Sequence, residues 1–211
     1  MSQHPNPQSR LTEAMRLVLR NVARAGRPPM HLLNAQQARL FYEMSASILD
    51  LPEAQLAPLG RVDDLKIPVR DGHSLKARLF APSLQSASAP LPCLVYFHGG
   101  GFTIGSIQTH QVLCRELARL GHCAVISVDY RLAPEYRFPV ATNDAWDALS
   151  WVSQNAKSLG LLPGALAVGG DSAGGNLSAA ACIGLRDDKA TSIQPAFQLL
   201  IYPATIMWQD T

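Results

Sequence analysis

The residues with the clearest chemical meaning are a serine and the small residues around it, in the segment Gly-Asp-Ser-Ala-Gly-Gly at 170–175. Gly170 and Gly174 flank Ser172 with the G-x-S-x-G spacing of a nucleophile elbow, a tight turn that exposes a serine hydroxyl. Glycine is needed there because a Cβ two residues away on either side would collide with the adjoining strand and helix. An apolar run at 165–169 precedes the turn, and a run of small residues typical of a helix follows it. Because the positive end of that helix would face an oxyanion, this pattern predicts a nucleophilic serine.

A second cluster of glycines lies upstream, in His-Gly-Gly-Gly at 98–101, directly after an apolar run at 91–97. Consecutive glycines lose much conformational freedom on folding, so they indicate a place where the backbone itself approaches a ligand. In an acyl-transfer enzyme, main-chain N–H groups of such a loop donate to the developing negative oxygen. The alternatives are a glycine-rich turn without a ligand and a phosphate-binding loop. The second is disfavoured because no Lys-Ser/Thr pair follows the glycines.

These motifs resemble those of the hormone-sensitive-lipase-like esterases of the α/β-hydrolase fold. The segments that carry the resemblance are Tyr-Phe-His-Gly-Gly-Gly-Phe at 96–102, Val-Asp-Tyr-Arg-Leu-Ala-Pro-Glu at 128–135, Phe-Pro-Val-Ala at 138–141, Gly-Asp-Ser-Ala-Gly-Gly at 170–175 and Ile-Tyr-Pro at 201–203. The resemblance implies a serine carboxylesterase or lipase-like hydrolase that acts on small-molecule esters of short to medium acyl chain through an acyl-enzyme. It implies no metal and no organic cofactor.

The resemblance also implies roles for individual residues. Ser172 would be the catalytic nucleophile. The oxyanion hole would be formed by the backbone N–H groups of Gly100, Gly101 and Ala173. A further set would position the loops around the serine: His98, Gly99, Gly170, Asp171 and Gly174. In this set the histidine is expected to hold the glycine loop rather than to act as the base.

The histidines depart from the family pattern. In α/β hydrolases the triad follows the order serine, acid, histidine, whereas all six histidines of this chain precede Ser172. The acids beyond the predicted helix that follows the serine are Asp187, Asp188 and Asp210, which come much sooner than the family's acid. We therefore expect the triad acid and base to be absent from this chain, as in a C-terminally truncated hydrolase that lacks its last strands and helices.

Two alternatives follow from this departure. His110 and His122, at the two ends of a predicted helix at 108–120, would have to reach the Ser172 hydroxyl to replace the base. Their positions favour instead a polar residue at the helix start and a turn residue at its end. The alternative function is a non-catalytic binder of a small ligand or an inactive truncated homologue. An interaction protein without a pocket is less favoured because the two glycine loops would then have no purpose.

Composition limits the partners and the compartment. The 211 residues are 47% hydrophobic and 16% charged, and a charged fraction well below the usual ~25% suits a large buried sheet. A net charge of +2 with scattered basic residues gives no case for nucleic acid. No apolar stretch reaches the roughly 18 residues of a membrane span. Four cysteines without C-x-x-C spacing and the lack of a signal-peptide pattern predict a cytoplasmic protein.

Strands alternating with helices predict an α/β fold with a mostly parallel sheet and helices on both faces. The family resemblance implies in addition that the first two helices form an N-terminal helical cap. Helices are predicted at 11–24, 35–49, 108–120, 140–155 and 174–185. Strands are predicted at 65–69, 75–80, 91–97, 123–128, 165–169 and 197–202. Residues 1–55 are interpreted as the cap segment and 56–211 as the incomplete hydrolase core, although the first two helices would equally pack on the core.

Two smaller expectations concern the cap and the last strand. The residues expected to line an acyl pocket are Met15, Phe41, Tyr42 and Met44. The strand at 197–202 is expected to become an edge strand, followed by an apolar segment. A long apolar edge promotes association between chains, so self-association is expected there.

Overall fold

The structure is a computed structural model that describes residues 11–24, 26, 28–52, 55–56, 58–82, 89–188 and 193–205. The chain forms two compact units, which divide between Ala38 and Arg39. The predicted boundary near residue 55 and the role of residues 1–55 as a cap remain predictions.

The N-terminal unit contains helix α1, Glu13–Arg24, and the start of helix α2, Ala35–Leu49. Asn34 caps the start of α2. The Gln37 N–H donates to Asn34 Oδ1 at 2.9 Å, and the Asn34 N–H donates to Gln37 Oε1 at 3.1 Å. This reciprocal pair satisfies two N–H groups that the first helical turn leaves free.

The second unit is built on a six-stranded sheet with the order β1-β2-β4-β3-β5-β6. Its strands are β1 Arg61–Pro68, β2 Ser74–Ala81, β3 Leu91–Phe97, β4 Ala124–Asp129, β5 Leu161–Asp171 and β6 Phe197–Ile201. The last four strands pair in parallel, whereas β1 pairs antiparallel with β2 and β2 pairs antiparallel with β4. The β1–β2 pair is a hairpin, with Asp71 and Gly72 in its turn.

Helices cover both faces of this sheet, and they are α3 Gln111–Gly121, α4 Val140–Gln154 and α5 Ala173–Asp187. One buried cluster joins Tyr96 of β3 to Ala118 of α3. The cluster on the opposite face joins Val95 of β3 to Leu149 of α4 and Leu177 of α5. Because neighbouring residues of β3 enter opposite clusters, the strand is buried on both faces. The predicted mostly parallel sheet with helices on both faces is confirmed.

The strand pairing determines where the two glycine motifs meet. Phe97, the last residue of β3, is paired with Gly170 near the end of β5. The glycine loop and the serine turn therefore leave the sheet side by side at the carboxyl ends of adjacent parallel strands. This edge is where open α/β sheets bind ligands.

Strand β6 lies at an edge of the sheet, and among the described strands its partner is β5. Phe197 is 62% exposed and Leu200 is 38% exposed.

We expect the 211-residue chain to self-associate through this edge. The Leu200→Lys variant should shift the chain towards the monomer, because a charge on an edge strand opposes strand pairing. Light scattering after size exclusion measures the mass. Leu120→Lys, at an exposed position of α3, is the control, and a wild-type monomer at every concentration would refute the expectation.

No helix in the described ranges has both the length and the apolar character that crossing a bilayer requires.

Candidate active site

Ser172 occupies the sharp turn between β5 and α5 with φ 51° and ψ −114°. Few non-glycine residues adopt a positive φ, and such strain persists where surrounding contacts enforce it. Here the Ser172 N–H donates to Ile201 O at 2.9 Å, and the N–H groups of Asn176 and Ala204 donate to Ser172 O at 3.1 and 3.0 Å. The turn is thus held by β6, by α5 and by the segment after β6, which leaves the half-buried Ser172 side chain at the strand end.

The glycines on either side of Ser172 pack where no side chain fits. A Cβ on Gly174 would overlap the carbonyl oxygen of Phe97, and a Cβ on Gly170 would overlap the same oxygen. This oxygen is a backbone atom at the end of β3, which cannot move without disturbing the sheet. The collision inferred for this spacing therefore exists, with the neighbouring strand and with the start of α5.

The glycine loop folds back as a turn directly after β3. Gly100 has φ 120° and Gly101 has φ 58°, and the N–H groups of Thr103 and Ile104 donate to Gly100 O at 3.1 and 3.0 Å. Within the described ranges, no backbone acceptor is found for the N–H groups of Gly100, Gly101 and Ala173. Their role as oxyanion donors stays a prediction.

Asp171 connects the serine turn to the glycine loop. Its Oδ1 accepts hydrogen bonds from the Tyr96 hydroxyl at 2.7 Å and from the Gly99 N–H at 2.9 Å, and it lies 3.3 Å from His110 Nε2. Burial opposes ionisation, but the hydrogen bonds from His110 and Tyr96 outweigh it and lower the pKa of Asp171 below its usual value. An ionised carboxylate next to the serine therefore anchors the first glycine of the loop.

His98 is fully buried beneath the glycine loop. Its Nδ1 lies 2.8 Å from Gly99 O, and its ring stacks on Tyr130 with 4.4 Å between ring centroids. Because a carbonyl only accepts, Nδ1 carries the hydrogen. Burial lowers the pKa of His98 to about 4, so its ring is neutral. This geometry supports a role in holding the loop.

The buried neutral ring of His98 leads to a prediction for stability against pH. Since its pKa falls from 6.5 to about 4 on folding, its contribution is complete above pH 6.5 and is lost as the pH falls towards 4. We expect the contribution of His98 to the unfolding free energy to fall by about 3 kcal/mol across that window. Urea unfolding of wild type and His98→Asn, which keeps a donor for Gly99 O but does not titrate there, measures the difference. His122→Asn is the matched control, and equal pH slopes for wild type and His98→Asn would contradict the expectation.

His110 takes a position that the sequence interpretation missed. It was expected to be a polar residue at a helix start, and it does end a short 3-10 turn, Gln108–His110, just before α3. Its side chain, however, is buried against Asp171. No hydrogen bond between a histidine and Ser172 Oγ occurs among the described residues. His122 is the predicted turn residue, at the end of α3 with φ 48°.

Arg39 is a second residue that sequence reasoning missed. From α2 its guanidinium donates to Thr103 O in the glycine loop and to Ala133 O, each at 2.8 Å. It also forms two hydrogen bonds to the Glu135 carboxylate, at 3.0 and 2.6 Å. Such a planar, two-pronged contact favours arginine over lysine. The segment at 128–135 thus lies next to the glycine loop and is bound to it through Arg39.

A cavity of about 650 Å³ in the second unit lies away from the serine. It is lined by residues such as Glu43, Asp50, Arg78 and Gln111, and Ser172 is not among them. Of the residues expected to line an acyl pocket, Tyr42 has a pKa raised by burial and, next, by the charge of Asp171. Met44 is exposed, and the acyl pocket stays a prediction.

The fold and the geometry at Ser172 define a class of protein, and comparison with known proteins gives the same class. Residues 94–211 match the family described as alpha/beta hydrolase fold. The chain therefore belongs to the α/β-hydrolase family, and the resemblance inferred from its motifs is confirmed.

Several named relatives are esterases. The chain is 39% identical over 181 residues to an ethyl acetate hydrolase of Pseudomonas putida, covering 84% of this chain and 54% of that protein. It is 42% identical over 132 residues to an arylesterase of Saccharolobus solfataricus, covering 63% of this chain and 42% of that protein. The chain spans about half the length of the curated relatives it matches.

Solved structures show the same relation. The hyperthermophilic esterase of the archaeon Pyrobaculum calidifontis is 42% identical with a TM-score of 0.81, and the match covers 92% of this chain and 59% of that chain. An ester hydrolase from the metagenome of Lake Arreo, in complex with a bipyridine phosphonate derivative, is 37% identical with a TM-score of 0.84. That match covers 95% of this chain and 62% of the other.

Proposed function

We propose that this chain is the nucleophile-bearing part of a serine carboxylesterase that acts on small esters of short to medium acyl chain. The observation that carries the proposal is the strained turn at Ser172, beside the glycine loop that leaves the adjacent strand. The N–H groups of Gly100, Gly101 and Ala173 have no backbone acceptor among the described residues. A serine in a tight turn beside such donors is the arrangement that acyl transfer uses.

In the proposed reaction, Ser172 Oγ attacks the ester carbonyl carbon as the hydroxyl proton passes to a base. The carbonyl oxygen becomes an oxyanion that accepts hydrogen bonds from the three backbone N–H groups. The C–O bond to the alcohol then breaks, and the alcohol leaves with the proton. Water adds to the acyl-enzyme in the same way and releases the carboxylic acid and the free serine.

The base and its acid are proposed to be residues that this chain does not contain. All six histidines precede Ser172, and none of those in the described ranges bonds to its hydroxyl. His98 is enclosed beneath the glycine loop, and His110 is engaged with Asp171. Without a base the hydroxyl is a weak nucleophile, which leaves only the contribution of the oxyanion hole and substrate binding, roughly 10³–10⁴-fold over water.

The proposed preference for short acyl chains is supported by the name of one relative. A protein 39% identical to this chain is an ethyl acetate hydrolase. The chemistry of the three N–H donors is common to all carboxylic esters, so the acyl preference has to come from the residues that would line the acyl pocket.

The experiment is hydrolysis of p-nitrophenyl acetate, butyrate, octanoate and palmitate by the product of the complete gene. We expect turnover with the largest kcat/KM for butyrate or octanoate. Binding of an ester analogue without any turnover above the blank would overturn the proposal and support the alternative, a non-catalytic small-ligand binder.

A further inference from the structure

The mechanism gives no role to His110, the buried partner of Asp171. His110 and Asp171 are 7% and 6% exposed, and His110 Nε2 lies 3.3 Å from Asp171 Oδ1. The pair lies one residue from the nucleophile, since Asp171 directly precedes Ser172. Burying two such groups together is costly unless they are well bonded, so their further partners are informative.

The loop before α3 fixes the position of the imidazole. The Ser106 N–H donates to Thr109 Oγ1 at 2.9 Å, and the Thr109 N–H donates to Ser106 Oγ at 3.4 Å. This reciprocal cap holds the 3-10 turn that carries His110. Thr109 Oγ1 also lies 2.8 Å from His110 Nδ1. One ring nitrogen is therefore bound to the turn and the other points at Asp171.

The direction of the hydrogen bonds follows from the acceptor. An ionised carboxylate only accepts, so His110 Nε2 carries the hydrogen that it donates to Asp171. The same oxygen, Oδ1, accepts from the Gly99 N–H at 2.9 Å. Contacts thus run from His110 through Asp171 to Gly99, and the next two residues are Gly100 and Gly101.

The ring of His110 also lies beside the support of the loop. Its centroid is 5.5 Å from that of His98 and 6.4 Å from that of Tyr96, the second side-chain donor to Asp171. A Cβ on Gly105 would meet Gly99 O and His98 Nδ1, each at 2.5 Å. The segment leading to His110 is therefore closely packed against the glycine loop.

We propose that His110 is a positioning residue for the oxyanion hole: by donating to Asp171 it fixes the carboxylate that anchors Gly99, and so sets the direction of the Gly100 and Gly101 N–H groups. The inference rests on the proposed esterase function. Its effect falls on the transition state, because the oxyanion exists only there.

Two amide variants of the complete protein test the proposal. His110→Gln places an amide nitrogen near the position of Nε2, whereas His110→Asn is polar but too short to reach Asp171. We expect His110→Asn to lower kcat by about 10²-fold with KM changed by less than about twofold, as for a misplaced oxyanion donor. His110→Gln should stay within about fivefold of wild type. His122→Asn, at the other end of α3, is the control and should match wild type.

A double variant separates positioning from a general structural role. If His110 acts through Asp171, the double variant His110→Asn with Asp171→Asn should lose no more kcat than Asp171→Asn alone. The reason is that the effects of substituting two groups that act as a unit do not add. Fully additive losses, or equal kcat values for His110→Asn and wild type, would overturn the proposal.

A spectroscopic measurement separates this proposal from the proposed function. In the proton NMR spectrum of nitrogen-15-labelled protein, the proton on His110 Nε2 should resonate downfield and exchange slowly with water, both in wild type and in His122→Asn. It should move upfield in Asp171→Asn, where a neutral amide replaces the charged acceptor. If no ester is hydrolysed but this signal behaves as described, the proposed function fails and the pair stands. If wild type lacks the protected signal, the pair itself is refuted.

Discussion

Replacing Ser172 with alanine is expected to lower kcat for p-nitrophenyl butyrate by about 10⁶-fold in the complete protein, the loss seen when a serine hydrolase loses its nucleophile. Alanine keeps the Cβ at the turn, so the backbone bonds from Asn176 and Ala204 to residue 172 and from residue 172 to Ile201 are retained. The oxyanion donors also remain, because all three are backbone N–H groups. The loss therefore isolates the covalent step from binding and folding.

The matched control for Ser172→Ala is Ser158→Ala. Ser158 is exposed after α4, and its hydroxyl donates to Asn155 O at 2.8 Å. We expect Ser158→Ala to keep wild-type kcat and Ser172→Ala to keep the wild-type unfolding midpoint. If Ser172→Ala retained more than about a tenth of wild-type kcat, Ser172 would not be the nucleophile.

The second large effect is expected at Gly174. A Cβ there would lie far inside the van der Waals contact distance from Phe97 O and 2.8 Å from His98 O. Both atoms belong to the backbone where β3 turns into the glycine loop, so relief requires the sheet and the start of α5 to separate. We expect Gly174→Ala to lower the unfolding free energy by about 4 kcal/mol or more, in the range that marks severe overpacking.

Gly121→Ala is the matched control for that change. Gly121 is exposed at the end of α3, and a Cβ there would meet the Cys123 Sγ at 3.2 Å. Urea unfolding of the two variants should give a change within about 1 kcal/mol for Gly121→Ala. A similarly small change for Gly174→Ala would show that the serine turn tolerates a side chain at position 174. Lack of space would then not be the reason for glycine there.

The fold and the location of the site were predictable because their signals are local. Each strand and helix of the second unit carries its own apolar pattern, and glycine at 170 and 174 marks a turn without room for side chains. The structure adds that the two motifs are adjacent, because Phe97 and Gly170 pair near the carboxyl ends of neighbouring parallel strands. Element ends were less accurate, because Pro163 and Gly164 obscured the start of β5, which begins at Leu161.

The parts of the site that were missed depend on contacts between distant segments. His110 has the local pattern of a helix start, and nothing near it in the sequence indicates Asp171 as its partner. Arg39 likewise lies on an ordinary amphipathic helix, although it binds Thr103 O and Glu135. These roles depend on which loops the sheet brings into contact. The residues near His110 and Arg39 in the sequence carry no signal for those contacts.

The most direct test of the central claim is covalent labelling of the purified 211-residue chain by a fluorophosphonate, beside the product of the complete gene and the Ser172→Ala variant of each. The claim is that this chain presents the nucleophile and its oxyanion hole but not the base. We expect rapid labelling of the complete protein that is abolished in Ser172→Ala. The folded 211-residue chain should label no faster than its own Ser172→Ala variant. Rapid labelling of the 211-residue chain that disappears in Ser172→Ala would contradict the account, because a base within these residues would then activate the serine.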